Sequence, residues 1–421
     1  MRSRVIVSLL IGQALGFGWT QPLAADEHPT VRLAIHIHST VSTGDLNPEQ
    51  ILGLAESVGL DGVVFTDSAI RRWEYGLWPL QNLVKWTVEQ PSVSTYGPER
   101  YFQAVDAAVR QHPHLLGIPA VEVTPFYYWH RSPFDQRGGQ IRASNNHLLV
   151  FGLRDPQLIR QLPLNAFDPY HGNQGTKPYQ RLIDFVRTHG GVVYWAHPMA
   201  AFRAERVGTS EALVEPYPHL VELTNNHQGI ALANPAALTM VEPGALWDQL
   251  LMAYGQGTRA HPVWILGELD WRRPQERSLD QVVTELRVDE RTEAAVLRAL
   301  QEGTSWVVFR AGDARAPALS QCSVMDVTSN RTAAIGGTLL STGPIRITVS
   351  GERFGQTEEP IRITLIADGR VLHTEDVPQS HFDVAWTENA PAHATYYRIW
   401  IQDPSGTIYT NPIFVRPARS S

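Results

Sequence analysis

The residues of this chain best suited to chemistry are histidines and carboxylates, placed one strand-length after another along the sequence. Val31 to Ser39 reads VRLAIHIHS. In an extended strand, residues two apart share a face, so His36 and His38 can aim two imidazoles at one cation. Further on come Glu122 in GIPAVEVTP, His147 in NNHLLVFGL, His197 in VVYWAHP and Asp270 in ILGELDW. Imidazole and carboxylate ligands suit zinc, manganese or iron and do not choose among them. The single cysteine, Cys322, excludes cysteine-based zinc sites and any intramolecular disulfide. A formal net charge of −7 over 421 residues gives no basic field for nucleic acid, so the expected partner is a small-molecule substrate.

Something must bring these side chains together. Apolar β-branched runs alternate with amphipathic stretches, the pattern of βα units around a parallel sheet. Residues 31–38, 61–67, 116–123, 147–152, 191–197, 219–224 and 263–270 read as strands, and Asn47 before Pro48 reads as the cap of the first helix. His36, His38, Asp67, Glu122, His197, Glu222 and Asp270 each stand at or just beyond the C-terminal end of one of these strands. In a parallel barrel the loops at that end converge on one mouth. His147 opens its strand instead. Asp67 is expected to hold an imidazole in its tautomer.

The two ends of the chain read differently. Met1 to Arg4 is basic, Val5 to Trp19 is apolar, and Leu23-Ala24-Ala25 supplies small residues before Asp26. Residues 1–25 therefore read as a signal peptide, and the mature protein is expected to be periplasmic or secreted, with no stable membrane anchor. From Ala334 to Val415, short alternating strands are separated by Gly336-Gly337, Asp368-Gly369 and Pro404-Ser405-Gly406, as in a small β-sandwich. The expected organisation is an α/β barrel over residues 26–322 and a sandwich over 323–421.

The ordered motifs resemble those of the PHP (polymerase and histidinol phosphatase) superfamily, whose fold is a distorted seven-stranded, TIM-like β/α barrel. The family's HxH strand, Ser-Asp-Gly turn and GxDxxxxTDH strand correspond here to LAIHIHS, Ser42-Thr43-Gly44 and GLDGVVFTDS; Gly59, Asp61, Thr66 and Asp67 match. The likeness covers about residues 31 to 310. It implies two divalent cations (zinc, manganese or iron). One would be held by His36, His38, Asp270 and Glu122, the other by His147, His197 and the second oxygen of Glu122. Such a pair, about 3.5–4 Å apart, can share a water and lower its pKa toward neutrality. Thr43, Ser68 and Arg272 stand where the family carries ligands of a third metal, which implies a binuclear variant. Glu122, Asp270 and Arg272 are then the candidate catalytic residues, Arg272 as the group that stabilises an oxyanion or binds a substrate anion.

The C-terminal GGTLLSTGPIRITVSG, IRITLIADGRVL, TYYRIWIQD and TNPIFV segments resemble the tail of carbaryl-hydrolase-like (CehA/McbA-type) metallohydrolases. That resemblance implies hydrolysis of carbamate, carboxylic ester or amide bonds. A phosphoesterase is the alternative, with Arg71, Arg72, Arg131 and Arg272 as phosphate-holding groups, and a non-catalytic metal- or ligand-binding protein is a third reading. Two inserts, from Arg71 to Tyr101 and from Phe126 to Asn146, are expected to shape the mouth. Trp73, Tyr75, Trp78, Trp86, Tyr96, Tyr127, Tyr128 and Trp129 would either hold a planar part of the substrate or pack the loops.

Overall fold

Strands that are apolar along their whole length must be covered on both faces, and the wall bearing the candidate ligands is built of such strands. The computed structural model describes residues 29–418 except 82, 165–171, 234 and 356–357. The expected signal peptide, residues 1–25, lies outside them. No helix among the described residues is long and apolar enough to cross a membrane. Thr30–Ile37, Gly62–Phe65 and Leu116–Pro119 pair in parallel, in that order. Helices Pro48–Ser57 and Pro98–Gln111 pack against these strands and against each other. Asn47 and Gln50 form a reciprocal capping box at the start of the first helix, as the Asn-Pro pair suggests.

After Ala120 the wall turns into a second sheet, ordered Val121–Val123, Leu148–Phe151, Val192–Trp195, Gly229–Leu232 and Trp264–Gly267. Leu148–Phe151 runs antiparallel to both of its neighbours, while the last three strands are parallel. This reversed strand departs from an all-parallel barrel and accounts for His147. Because the strand runs the other way, its beginning and not its end opens onto the mouth. The curl closes where Leu269 and Trp271 donate backbone N–H groups to the carbonyls of Ile35 and His36, at 2.9 and 3.0 Å. His38 answers with a bond to the Trp271 carbonyl at 2.9 Å.

One expected strand is wrong. Residues 219–223 fall in a short helix, Pro218–Leu223, that Thr224 caps, and the sixth strand is Gly229–Leu232. Pro218 occupies the first helical turn, where its missing N–H has no intrahelical role. Glu222 consequently sits exposed on that helix.

The C-terminal layers are joined to the wall more closely than the expected sandwich implied. Val282–Arg287 pairs antiparallel with the first strand and with Ser305–Arg310, and Ser305–Arg310 pairs with Gly406–Thr410. The first curled sheet thus runs on through Gly406–Thr410, Thr395–Asp403, Ile413–Pro417 and Thr338–Ser341. A four-stranded antiparallel sheet, in which Ala318–Asp326 is central, forms the facing layer. The boundary expected between residues 322 and 323 therefore falls inside a strand.

Two side chains complete the closure on the far side. The backbone of Trp264–Gly267 pairs with only one strand, leaving an open edge. Asn411 fills part of it: its Oδ1 accepts from the Ile265 N–H at 2.8 Å, and its Nδ2 donates to the Ile265 carbonyl at 3.0 Å and to Ser305 Oγ at 2.9 Å. The Thr284 hydroxyl accepts from the Gly267 N–H at 2.8 Å and donates to its carbonyl at 3.0 Å. A buried strand edge needs such partners. The asparagine of the TNPI segment is one of them, and it braces the strand that leads into Glu268 and Asp270.

Candidate metal centre

The fold brings all six candidate ligands to one place, in two groups that share a residue. His36, His38, Glu122 and Asp270 form one group, and Glu122, His147 and His197 the other. In the first, His36 Nε2 lies 3.3 Å from His38 Nε2, 3.1 Å from Glu122 Oε1 and 3.6 Å from Asp270 Oδ1. His38 Nε2 is 3.4 Å from Asp270 Oδ1 and 3.7 Å from Glu122 Oε2. An ion with tetrahedral bonds of about 2.0–2.1 Å has ligand–ligand edges of roughly 3.3 Å. The spacings among His36, His38 and Asp270 lie near that edge, while the two imidazoles approach different oxygens of Glu122. In the second, His147 Nδ1 is 2.5 Å from Glu122 Oε1 and 3.4 Å from His197 Nε2, with His197 Nε2 3.9 Å from the same carboxylate oxygen. That donor set also suits a divalent cation, and the buried Nδ1 of His197 has no hydrogen-bond partner among the described residues.

Backbone conformation marks the same residues. His36, His197 and Asp270 have φ of 68°, 30° and 48°, a region that side-chain-bearing residues adopt at a cost of order 1–3 kcal/mol each. At His36 the register to the neighbouring strand shifts between Ile35 and Ile37, so the HxH segment is a bulge and not a regular strand. Gly44, in the following turn, lies so close to His38 that a Cβ there would be 2.1 Å from the His38 carbonyl oxygen.

Behind the ligands stands a residue that the sequence reading passed over. Glu268 is fully buried. Its Oε2 accepts from His36 Nδ1 at 2.5 Å, and its Oε1 from the His197 backbone N–H at 2.5 Å. One oxygen thus serves each ligand group, and the proton held on His36 Nδ1 leaves the Nε2 lone pair for a cation. The signal was present in GELD, where Glu268 lies two residues before Asp270. A glutamine at this position has one carbonyl oxygen and cannot accept both bonds from separate oxygens. Glu268→Gln is therefore expected to weaken metal affinity about 10–100-fold, measured by titration with a competing chelator. Unchanged affinity would reduce Glu268 to a packing role.

His38 is oriented through an intermediary. Ser42 Oγ donates its only proton to Asp67 Oδ1 at 2.6 Å, so it accepts from His38 Nδ1 at 3.1 Å. Asp67 also accepts from the backbone and hydroxyl of Ser39, each at 2.8 Å. The expected contact between Asp67 and an imidazole is absent among the described residues; Asp67 acts through Ser42.

The electrostatics favour a cation. Burial alone would lower the His36 pKa, but the facing carboxylates of Glu268, Glu122 and Asp270 override it and raise it to about 10. Burial would likewise push Glu122 up, yet His147, His197 and His36 hold it well below the usual carboxylate range. Asp270 is held low against its own burial by Arg272 and His38. Glu122 and Asp270 are thus favoured in their ionised forms and call for positive charge.

Thr43, Ser68 and Arg272 stand beside the cluster and bond to it or to each other. Arg272 Nη2 is 2.9 Å from Asp270 Oδ1, and its Nε donates to Thr43 Oγ1 at 3.3 Å. Ser68 donates to Glu122 Oε2 at 3.0 Å. Above them opens a cleft lined by Ser68, Arg71, Trp73, Tyr127, His147 and Arg272, among others. Its roof is a hairpin, Arg72–Gly76 with Lys85–Glu89, and a small sheet of Tyr128–Arg131, Gln140–Arg142, Ser210–Val214 and Arg203–Val207. Most of the insert aromatics pack this roof. Tyr75 and Trp86 meet Trp129 edge-on, and the Trp129 indole donates to the Glu74 carbonyl. Trp73 and Tyr127 reach the cleft, while Trp78 is 73% exposed at the hairpin tip. The roof strands 203–214 were not foreseen, although two short runs around Gly208-Thr209 are a hairpin pattern.

No protein-family model matches the chain, and no curated protein does. Among solved structures, it is similar to a two-domain protein from Bacteroides vulgatus containing a predicted PHP-like metal-dependent phosphoesterase. The identity is 13%, over 93% of this chain and 97% of that one, with a TM-score of 0.41. It is also similar to the lesion-specific endonuclease EndoQ of Pyrococcus furiosus, at 11% identity over 65% of this chain and 56% of that one, TM-score 0.36. A third is an amidohydrolase from Chromobacterium violaceum, 12% identical over 58% of this chain and 88% of that one, TM-score 0.29. These are distant likenesses, and the functional reading rests on the residues of the site.

Proposed function

We propose that this protein is a binuclear metal-dependent hydrolase of the PHP type, acting on carbamate, carboxylic ester or amide bonds outside the cytoplasm. The observation that carries this reading is the position of Glu122. A single buried carboxylate belongs to both ligand groups: its Oε1 lies 3.1 Å from His36 Nε2 and 2.5 Å from His147 Nδ1, and its Oε2 3.7 Å from His38 Nε2, so one residue could serve two cations. Bound there, two divalent ions would supply Lewis acidity and a water of near-neutral pKa. The chain's own residues do the rest. Glu268 and the Ser42–Asp67 pair fix the tautomers of His36 and His38, so both Nε2 lone pairs face the site. Arg272 holds Asp270 in place and presents a guanidinium at the floor of the cleft, where it can stabilise negative charge developing on a carbonyl oxygen. The roof partly covers that floor, which lowers the local dielectric and strengthens each of these interactions. The choice of carbonyl over phosphoryl chemistry draws on the resemblance of the C-terminal segment to the carbaryl-hydrolase branch. Export draws on the leader at residues 1–25.

Elemental analysis of the purified protein, with anomalous diffraction, is expected to give two metal ions per chain at the six residues. A third, fully occupied position beside Ser68 would overturn the binuclear assignment. Two ions with no turnover on any carbamate, ester, amide or phosphoester would favour a binding protein.

A further inference from the structure

Arg71 stands at the base of the roof hairpin and lines the same cleft as Glu122, His147 and Arg272. Its guanidinium is held by neutral groups. Nε and Nη2 both donate to Gln90 Oε1, at 2.9 and 2.5 Å, and Cζ lies 5.6 Å from the centroid of the Trp73 ring. Among the described residues no carboxylate comes within ion-pair distance of it. Three other arginines do have one: Arg72 pairs with Glu74, Arg272 with Asp270 and Arg142 with Glu215, while Arg206, also on the cleft, bonds to the Gly208 carbonyl. The acidic groups that Arg71 feels are otherwise engaged. Glu122 lies among the histidines, Asp270 beside Arg272, and Glu205 is 2.8 Å from Arg203. Burial works against the charged form and lowers the Arg71 pKa, with Arg272 adding repulsion. A half-buried cation with only neutral partners is a costly arrangement unless an anion arrives to complete it.

We propose that Arg71 is a specificity-determining residue that receives a carboxylate carried by the substrate beyond its scissile bond. The proposal rests on the hydrolase reading above and names its substrate class: acidic esters, carbamates or amides. The geometry suits a bidentate oxyanion, and the carbonyl-hydrolase reading makes that anion a carboxylate. Gln90 occupies the Nε–Nη2 edge of the guanidinium, leaving the Nη1–Nη2 edge, whose two parallel N–H groups match two carboxylate oxygens. Arg71 makes no hydrogen bond to any of the six candidate ligands, whereas Arg272 Nη2 lies 2.9 Å from Asp270 Oδ1. Trp73, beneath the guanidinium, gives the chain linking carboxylate and carbonyl an apolar surface to lie on.

The test compares two 4-nitrophenyl esters that share a leaving group and differ in the end of a six-carbon acyl chain, long enough that the free acid does not attack its own ester. They are the hydrogen adipate, which carries a carboxylate, and the hexanoate, which does not. The metal-loaded full-length protein is expected to prefer the adipate by tenfold or more in kcat/KM, chiefly through KM. In Arg71→Gln the ratio should fall to about one, and Arg71→Lys should restore part of it. A wild-type ratio near one, or an Arg71→Gln variant that keeps the ratio while both rates drop, overturns the proposal and leaves Arg71 as a brace for the hairpin. Turnover of neither ester would count against the ester-hydrolase reading only. Arg71 is then judged by calorimetric titration of benzoate, with benzamide as the neutral control. The Kd for benzoate should rise at least tenfold in Arg71→Gln, and an unchanged Kd overturns the assignment.

Discussion

On the proposed binuclear reading, Glu122→Gln is expected to lower kcat by more than roughly 10³-fold and to weaken metal binding at both ligand groups, because this one carboxylate would serve both cations. The substitution is nearly isosteric, so the buried pocket around residue 122 keeps its volume. What changes is charge and donor number. Glutamine offers one acceptor oxygen and an NH₂ group where the carboxylate offers two acceptors. Glu122 lies 2.5 Å from His147 Nδ1, 3.1 Å from His36 Nε2 and 3.0 Å from the Ser68 hydroxyl. An amide in that position turns a donor toward one of the two ligand groups. His38→Ala should be milder at saturating metal, since His38 faces only the first group, which retains His36, Asp270 and Glu122. Metal content and steady-state turnover, measured on both variants with folding checked by circular dichroism, decide the matter. Near-normal turnover by a folded Glu122→Gln protein would remove Glu122 from the bridging position.

Much of this arrangement was legible because ligand chemistry and strand ends coincide. His36, His38, Glu122, His197 and Asp270 follow apolar runs, and a run of four to eight such residues is a strand that needs no partner to be recognised. His147 was legible as a residue but not as geometry. Nothing in HLLVF reveals that its strand runs antiparallel, since direction is set by the neighbours it pairs with. The sixth strand failed for a related reason. GIAL is short and small in side chain, and the neighbouring HLVEL run, though more hydrophobic, is helical behind Pro218. Glu268 was missed because a carboxylate that orients a ligand leaves no spacing rule of its own. Asn411 sits 146 residues from the strand it braces, beyond the reach of local pattern. Sequence gives identities and periodicities; the partners of Glu268 and Asn411 depend on how two curled sheets meet.

Hydrolysis of an aryl carbamate or aryl ester is expected to exceed that of an aryl phosphate by tenfold or more in kcat/KM. A phosphomonoester brings several charged oxygens to the reacting centre, and these need clamping from more than one side. Here Thr43, Ser68 and Arg272 are not a third set of metal ligands. Arg272 is engaged with Asp270 and Thr43, and the Ser68 hydroxyl with Glu122. A carbonyl asks for less: polarisation of one oxygen, a nearby nucleophile, and positive charge where the tetrahedral oxyanion forms, which Arg272 is placed to give. Arg71 does not reverse the argument, because Gln90 already takes one edge of its guanidinium and it bonds to none of the six ligands. Trp73 and Tyr127 on the cleft wall can take the planar leaving group. The decisive comparison uses 1-naphthyl N-methylcarbamate, 1-naphthyl acetate and 1-naphthyl phosphate, which release the same naphthol and so differ only at the bond broken. A tenfold preference for the phosphate, about 1.4 kcal/mol in the transition state, would replace the carbonyl hydrolase with a phosphoesterase built on the same two cations.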